Sequence, residues 1–137
     1  MLGKFSALAG LRRLVNAQYL ILKKKKNDIF RAGKVTNEEP GLKKYLKKNL
    51  KKIEFCQTTD EIKKFRNVFL TIDTPLKLNG EPKISLILKS INRLKTYLGK
   101  NTNLIITSQV YCGFCDDLKK NILKNRKDIT LIYIAET

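Results

Sequence analysis

At 137 residues, 42% of them apolar, the chain is one domain's worth of sequence with enough hydrophobic material for a single packed core, and no apolar run approaches the roughly 18 residues of a membrane span. Three cysteines, Cys56, Cys112 and Cys115, an odd and small count, argue against an oxidised disulfide scaffold and for a reducing, cytoplasmic setting. The net charge of +17, from 29 Lys+Arg against 12 Asp+Glu, attracts polyanions, but the excess is mostly lysine on the polar faces of predicted helices. Nucleic-acid readers lean on arginine and aromatic residues, so a general lysine-rich surface is the reading here and a nucleic-acid partner is not expected.

Taken in order, Ser6 to Val15 carries apolar positions on one side of a helix, and Tyr19 to Leu22 is a short strand-like run cut off by Lys23 to Lys26. Residues 27–32 can add a helical turn closed by Gly33. Pro40-Gly41 is a break, after which Leu42, Leu46, Leu50 and Ile53 recur at helical spacing opposite Lys43, Lys44, Lys47, Lys48, Lys51 and Lys52. Ile53 to Cys56 is a brief strand candidate, and Thr59 with Asp60 can cap a short helix through Phe65.

Val68 to Ile72 then reads as a buried strand that stops at Asp73-Thr74-Pro75. A polar loop with Asn79-Gly80 leads to a helix from Ile84 to Leu98, with Ser85 as N-cap, an apolar stripe of Ile87, Leu88, Ile91, Leu94 and Leu98, and Gly99 as its stop. Leu104 to Thr107 is the next strand, Gln109 to Cys115 a turn, Asp116 to Asn125 a helix with an acidic first turn, and Ile129 to Ile134 the last strand. This alternation predicts an α/β fold in which a parallel sheet is flanked by helices through right-handed crossovers. In such a sheet the loops leaving the strands' carboxyl ends hold ligands, which places Asp73, Thr74, Ser108 and Gln109 together at one edge.

The turn Tyr111-Cys112-Gly113-Phe114-Cys115 resembles the redox motif of thioredoxin and glutaredoxin proteins. A helix N-terminus would lower the pKa of its first thiol and the second could resolve a mixed disulfide. Those folds need further strands after this helix, however, and the chain has no proline beyond Pro82. A metal site is not expected, because only Cys56 could add a third thiol and histidine is absent.

A second resemblance spans the turns from Gly33 to Glu136. Glu39-Pro40-Gly41-Leu42, Ile53-Glu54-Phe55, Thr59-Asp60-Glu61-Ile62, Val68-Phe69 running into Thr74-Pro75, and Asn79-Gly80-Glu81-Pro82 look like the amino-terminal domain of the nucleotide-sugar 6-dehydrogenases, the UDP-glucose, UDP-N-acetyl-hexosamine and GDP-mannose dehydrogenases. Ser108-Gln109-Val110-Tyr111-Cys112-Gly113 is similar to that family's Ser-Thr-Val-x-Pro-Gly turn, and Tyr133-Ile134-Ala135-Glu136 to its Tyr-x-Pro-Glu.

The resemblance implies one Rossmann-like NAD-binding domain over residues 1–137, with its first strand missing and a degenerate start over 1–32. It further implies NAD-dependent oxidation of a UDP- or GDP-sugar's C6 alcohol to the acid. Thr74 and Pro75 would lie along the cofactor, Ser108 and Gln109 would contact it, and Gln109 and Glu136 would serve the chemistry. Gly3 matches the second glycine of a dinucleotide fingerprint and Ser6 stands at the third, while Lys23 to Lys26 replace the acidic residue that holds the ribose, leaving Asp28 nearby. NAD binding is therefore expected to be weak or lost. Activity on a nucleotide sugar is expected to need a carboxyl-terminal dehydrogenase half, and no membrane partner is expected. A small thiol-disulfide oxidoreductase using Cys112 and Cys115, and a basic polyanion-binding module, are the alternatives.

Overall fold

The computed structural model describes residues 32, 34, 40–52, 58–72 and 74–135. The expected elements at 6–15, 19–22 and 53–56, and Gly3, Ser6, Asp28, Gly33, Cys56, Asp73 and Glu136, lie outside the described residues. The chain divides into two compact units, Lys4–Glu61 and, together with Met1–Gly3, Ile62–Thr137.

In the first unit, helix α1 (Leu42–Asn49) starts from Gly41, whose φ of 82° is open to glycine and costly for other residues, and runs into a 3-10 turn at Leu50–Lys52. Its apolar spacing works as read: Leu42 and Leu46 are buried while Lys43, Lys44, Lys47, Lys48 and Lys51 are exposed. The predicted helix from Thr59 is a 3-10 helix, Thr59–Lys64. Its start is held one residue earlier than expected, because the Thr58 amide and hydroxyl both donate to the Glu61 carboxylate, at 2.9 and 3.4 Å.

The second unit is built on three parallel strands, β1 (Asn67–Leu70), β2 (Asn103–Ile106) and β3 (Thr130–Tyr133), in the order β1-β2-β3. Val68 pairs in register with Leu104 and Leu131, and Leu70 with Ile106 and Tyr133. Helix α2 (Ser85–Leu94) crosses from β1 to β2 and helix α3 (Phe114–Asn121) from β2 to β3. Two right-handed crossovers between sequential neighbours put both helices on one face of the sheet. The core is that layer: Ile87, Ile91, Leu94 and Leu98 from the first crossover, Phe114, Leu118 and Leu123 from the second, and Leu104 and Ile106 from the central strand, all buried.

Each strand differs by one or two residues from its expected range, α3 ends at Asn121 rather than Asn125, and three further boundaries differ for reasons the structure shows. Ser85 is the first helical residue rather than the cap, since Ile84 is already αR and its carbonyl accepts the first helical bond, from the Leu88 amide. Helix α3 begins two residues before Asp116, capped by Gly113 at φ 88° with no side-chain cap bond, so Phe114 enters the core. Gly99 does not end α2. Among the described residues the positive-φ glycines are Gly41, Gly80 and Gly113, and Gly99 is instead small because a Cβ there would stand 2.5 Å from the Lys63 carbonyl oxygen.

The close approach at Gly99 belongs to a tightly bonded turn at the amino end of the sheet. Thr102, fully buried, donates its hydroxyl to the Gly99 carbonyl at 3.0 Å. Arg126 donates to the carbonyls of Lys95, Leu98 and Gly99, at 2.6, 3.0 and 2.9 Å, and clamps the Asp128 carboxylate through two nitrogens at 3.0 and 2.9 Å. The guanidinium thus takes up main-chain carbonyls in the turn that follows α2, from its C-cap Lys95 to Gly99.

Candidate functional site at the carboxyl end of the sheet

The loops that leave the carboxyl ends of β1 and β2 bring Thr74, Pro75, Ser108 and Gln109 to the same end of the sheet. Thr74 and Pro75 follow β1 by four and five residues, and Ser108 and Gln109 follow β2 by two and three. The strand pairing continues past the strands themselves: the Thr107 amide donates to the Leu70 carbonyl at 3.2 Å, and the Ile72 amide donates to the Ser108 hydroxyl at 2.8 Å. Ser108 is buried, so its hydroxyl serves as the internal acceptor that fastens the loop after β1 to the loop after β2. Thr74 is half-buried, and Pro75 and Gln109 are exposed.

After Pro75 the chain makes a small hairpin. Leu76 bridges Pro82, the Lys77 amide donates to the Glu81 carbonyl at 2.8 Å, and Gly80 takes a φ of 81° in the tip. The Lys77 ammonium meets the Glu81 carboxylate at 2.9 Å; this bond, with help from Asn79, holds the Glu81 carboxyl below the usual range. Leu76 and Leu78 stand exposed on this hairpin, and Tyr111 and Tyr133 are exposed on the loops beyond β2 and at the end of β3.

The loop after β2 is braced at Tyr111. Its ring meets Phe114 edge to face with centroids 5.5 Å apart, and its hydroxyl donates to the Asp117 carboxylate at 2.7 Å, which raises the phenol's pKa. Cys112 is exposed and Cys115 half-buried in the first turn of α3. Burial, followed by the negative charge of Asp116, pushes the Cys115 thiol up, so the second thiol of the C-x-x-C is not itself activated as a nucleophile. Among the described residues no group of three His, Cys, Asp or Glu side chains could hold a metal ion, and no helix is long and apolar enough to cross a membrane.

Sequence reasoning did not find the bracing role of Ser108, the Tyr111–Asp117 bond or the Arg126 clamp. The spacing of Tyr111 and Asp117 across a helix start is a usable signal, as is Arg126-x-Asp128. The acceptors of Arg126 far back in the chain leave none.

No curated protein matches the chain. Solved structures do. An NDP-N-acetyl-D-galactosaminuronic acid dehydrogenase from Methanosarcina mazei superposes with a TM-score of 0.73 at 23% identity, over 88% of this chain and 29% of that one. A UDP-N-acetyl-mannosamine dehydrogenase from Staphylococcus aureus gives 0.75 at 21%, over 90% and 31%, and a GDP-mannose dehydrogenase from Pseudomonas aeruginosa gives 0.72 at 17%, over 92% and 32%. These likenesses establish the Rossmann-like fold, and the chain spans less than a third of the length of each. A family model, the NAD binding domain of the UDP-glucose/GDP-mannose dehydrogenase family, matches residues 21–137, which takes in all three strands and both crossover helices. The chain belongs to the UDP-glucose/GDP-mannose dehydrogenase family, as its NAD-binding domain.

Proposed function

We propose that residues 1–137 are one NAD-binding domain, cytoplasmic, which serves the oxidation of a UDP- or GDP-sugar's C6 alcohol together with a carboxyl-terminal dehydrogenase half. The observation that carries the proposal is the Ile72–Ser108 hydrogen bond, which sets Thr74 and Gln109 on two fastened loops at the ligand-binding end of a parallel sheet. The half-buried Thr74 hydroxyl and the exposed Gln109 amide are neutral hydrogen-bonding groups, and their chemistry suits the amide and hydroxyl edges of a dinucleotide. NAD, when bound, supplies the hydride acceptor. Thr74 and Pro75 would line its path, and Gln109 would orient it and a water. Gly3 and Ser6 would meet the pyrophosphate, and Glu136 would begin the sugar-binding loop with a carboxylate able to act as base.

Binding by this chain alone should be weak, because Ser6 and Lys23 to Lys26 replace groups that hold pyrophosphate and ribose. Each lost charge-assisted bond costs roughly 1.5 to 3 kcal/mol, enough to move a micromolar site towards millimolar. The test is titration with NAD followed by ligand-observed NMR, in low and high salt, on wild type and on Thr74→Val with Gln109→Ala. Binding in the millimolar range that the double variant weakens several-fold supports the site. Equal binding by both proteins refutes it.

A further inference from the structure

Helix α1 and the 3-10 turn that continues it carry five exposed lysines, Lys43, Lys44, Lys47 and Lys48 on the helix and Lys51 on the turn, while Leu42 and Leu46 on the other side are buried. The lysines form two neighbouring rows at four-residue steps. A step of four residues advances about 6 Å, so the longer row runs about 12 Å along the helix. No acidic residue occurs between Leu42 and Ile53. Other described basic residues either have acidic neighbours, as Lys119 and Lys120 have Asp116 and Asp117, Lys77 has Glu81 and Arg126 has Asp128, or, like Lys89 and Arg93 on α2, do not recur in so dense a series. Like charges one turn apart work against the helix that bears them, so α1 holds its stripe against its own repulsion through its buried leucines.

A straight stripe of long, flexible point charges suits a linear polyanion. Nucleic-acid strands bear one charge per about 3.4 Å of duplex axis, roughly two for each lysine step, so successive lysines of a row can meet alternate phosphates of a strand. A lipid surface fits less well. Helices that lie on bilayers sink an apolar face into them, and the apolar face of α1 is already buried within the protein. A small phosphorylated metabolite needs converging donors in a cleft, and a helix face diverges. Tyr45 is half-buried and the stripe contains no arginine, so nothing there is built to stack on or read a base.

We infer that the lysine face of α1 binds the phosphodiester backbone of a nucleic-acid duplex without regard to sequence. This departs from the expectation drawn from composition, because exposure concentrates the charge on one helix face. Fluorescence anisotropy with the full chain and labelled duplexes of DNA and of RNA tests it. Five neutralised phosphates give a slope of about −4 to −5 in log K against log salt, and a loss of a few hundred-fold between 50 and 200 mM. The variant Lys43→Gln/Lys47→Gln/Lys51→Gln should reduce the slope by about 3, whereas Lys119→Gln/Lys120→Gln/Lys127→Gln, of equal net charge, should reduce it by less than about 1. Glutamine keeps the helix propensity, and circular dichroism checks that both variants fold. Equal losses in the two variants would show that only net charge acts and would overturn the inference. So would an absence of duplex binding at 50 mM, or binding to anionic vesicles but not to duplexes. None of these outcomes bears on the NAD site.

Discussion

Replacing Arg126 with methionine keeps a long apolar stem and removes the guanidinium that gathers the Lys95, Leu98 and Gly99 carbonyls. Hydrogen bonds to an ionised partner contribute roughly 1.5 to 3 kcal/mol each, but a quarter of this side chain is in water and the freed carbonyls can hydrate in part. A total loss of about 3 kcal/mol is the expectation, near 8 °C in Tm for a chain of this length. Arg126→Lys restores the charge without the fork and should recover about 1 kcal/mol. Urea and thermal unfolding followed by circular dichroism measure both variants. The pH profile gives a second readout, because the Arg126 hydrogen bond, ahead of smaller contributions, holds the Asp128 carboxyl below its ordinary value. A carboxyl depressed on folding adds stability that is complete above its unfolded pKa, near 4, and is lost as pH falls through the lower folded value. That acid-side loss should shrink in Arg126→Met. A lysine variant as stable as wild type, or a methionine variant that loses less than about 0.5 kcal/mol, would refute the clamp as a source of stability.

Gly99→Ala should destabilise by roughly 1 to 3 kcal/mol in the same unfolding assay, because its Cβ meets the Lys63 carbonyl oxygen at 2.5 Å and backbone must move. Cys115 should alkylate more slowly than exposed Cys112 at neutral pH, since burial raises its pKa and leaves less thiolate, and insulin reduction should stay at background. Tyr111→Phe keeps the ring contact with Phe114 and removes the bond to Asp117, so it should lower stability by about 1 kcal/mol or less and speed amide exchange in the loop after β2. Incubation of the 137-residue chain with UDP-glucose and saturating NAD should give no NADH absorbance, and turnover would overturn the need for a carboxyl-terminal half.

The sheet and its crossovers were legible because their signals are periodic and local. Apolar residues at three- and four-residue steps from Ile87 to Leu98 can bury only one way, and Ile87, Ile91, Leu94 and Leu98 do. The element ends were less legible. Serine at position 85 looks like a cap, yet the turn before it is already helical at Ile84, and α3 is capped by the backbone freedom of Gly113 where no side-chain acceptor advertises a start. The site was legible in position and not in role. Order along the chain placed Thr74, Ser108 and Gln109 at one end of the sheet, whereas the Ser108 hydroxyl's partner, the Ile72 amide, lies 36 residues away and no pattern announces it. The Arg126 clamp is hidden for the same reason: its acceptors are main-chain carbonyls 27 to 31 residues earlier, and every residue has one.

The bonded turn around Gly99, Thr102 and Arg126 closes the end of the sheet away from the ligand loops. Such a division separates what a lineage must keep from what it can lose. Drift in the loops at positions 71–82 or 109–113 removes chemistry while the β1–β2–β3 scaffold still assembles from the far side, so a sequence can shed its ancestral ligand and persist as a folded protein open to selection for something else.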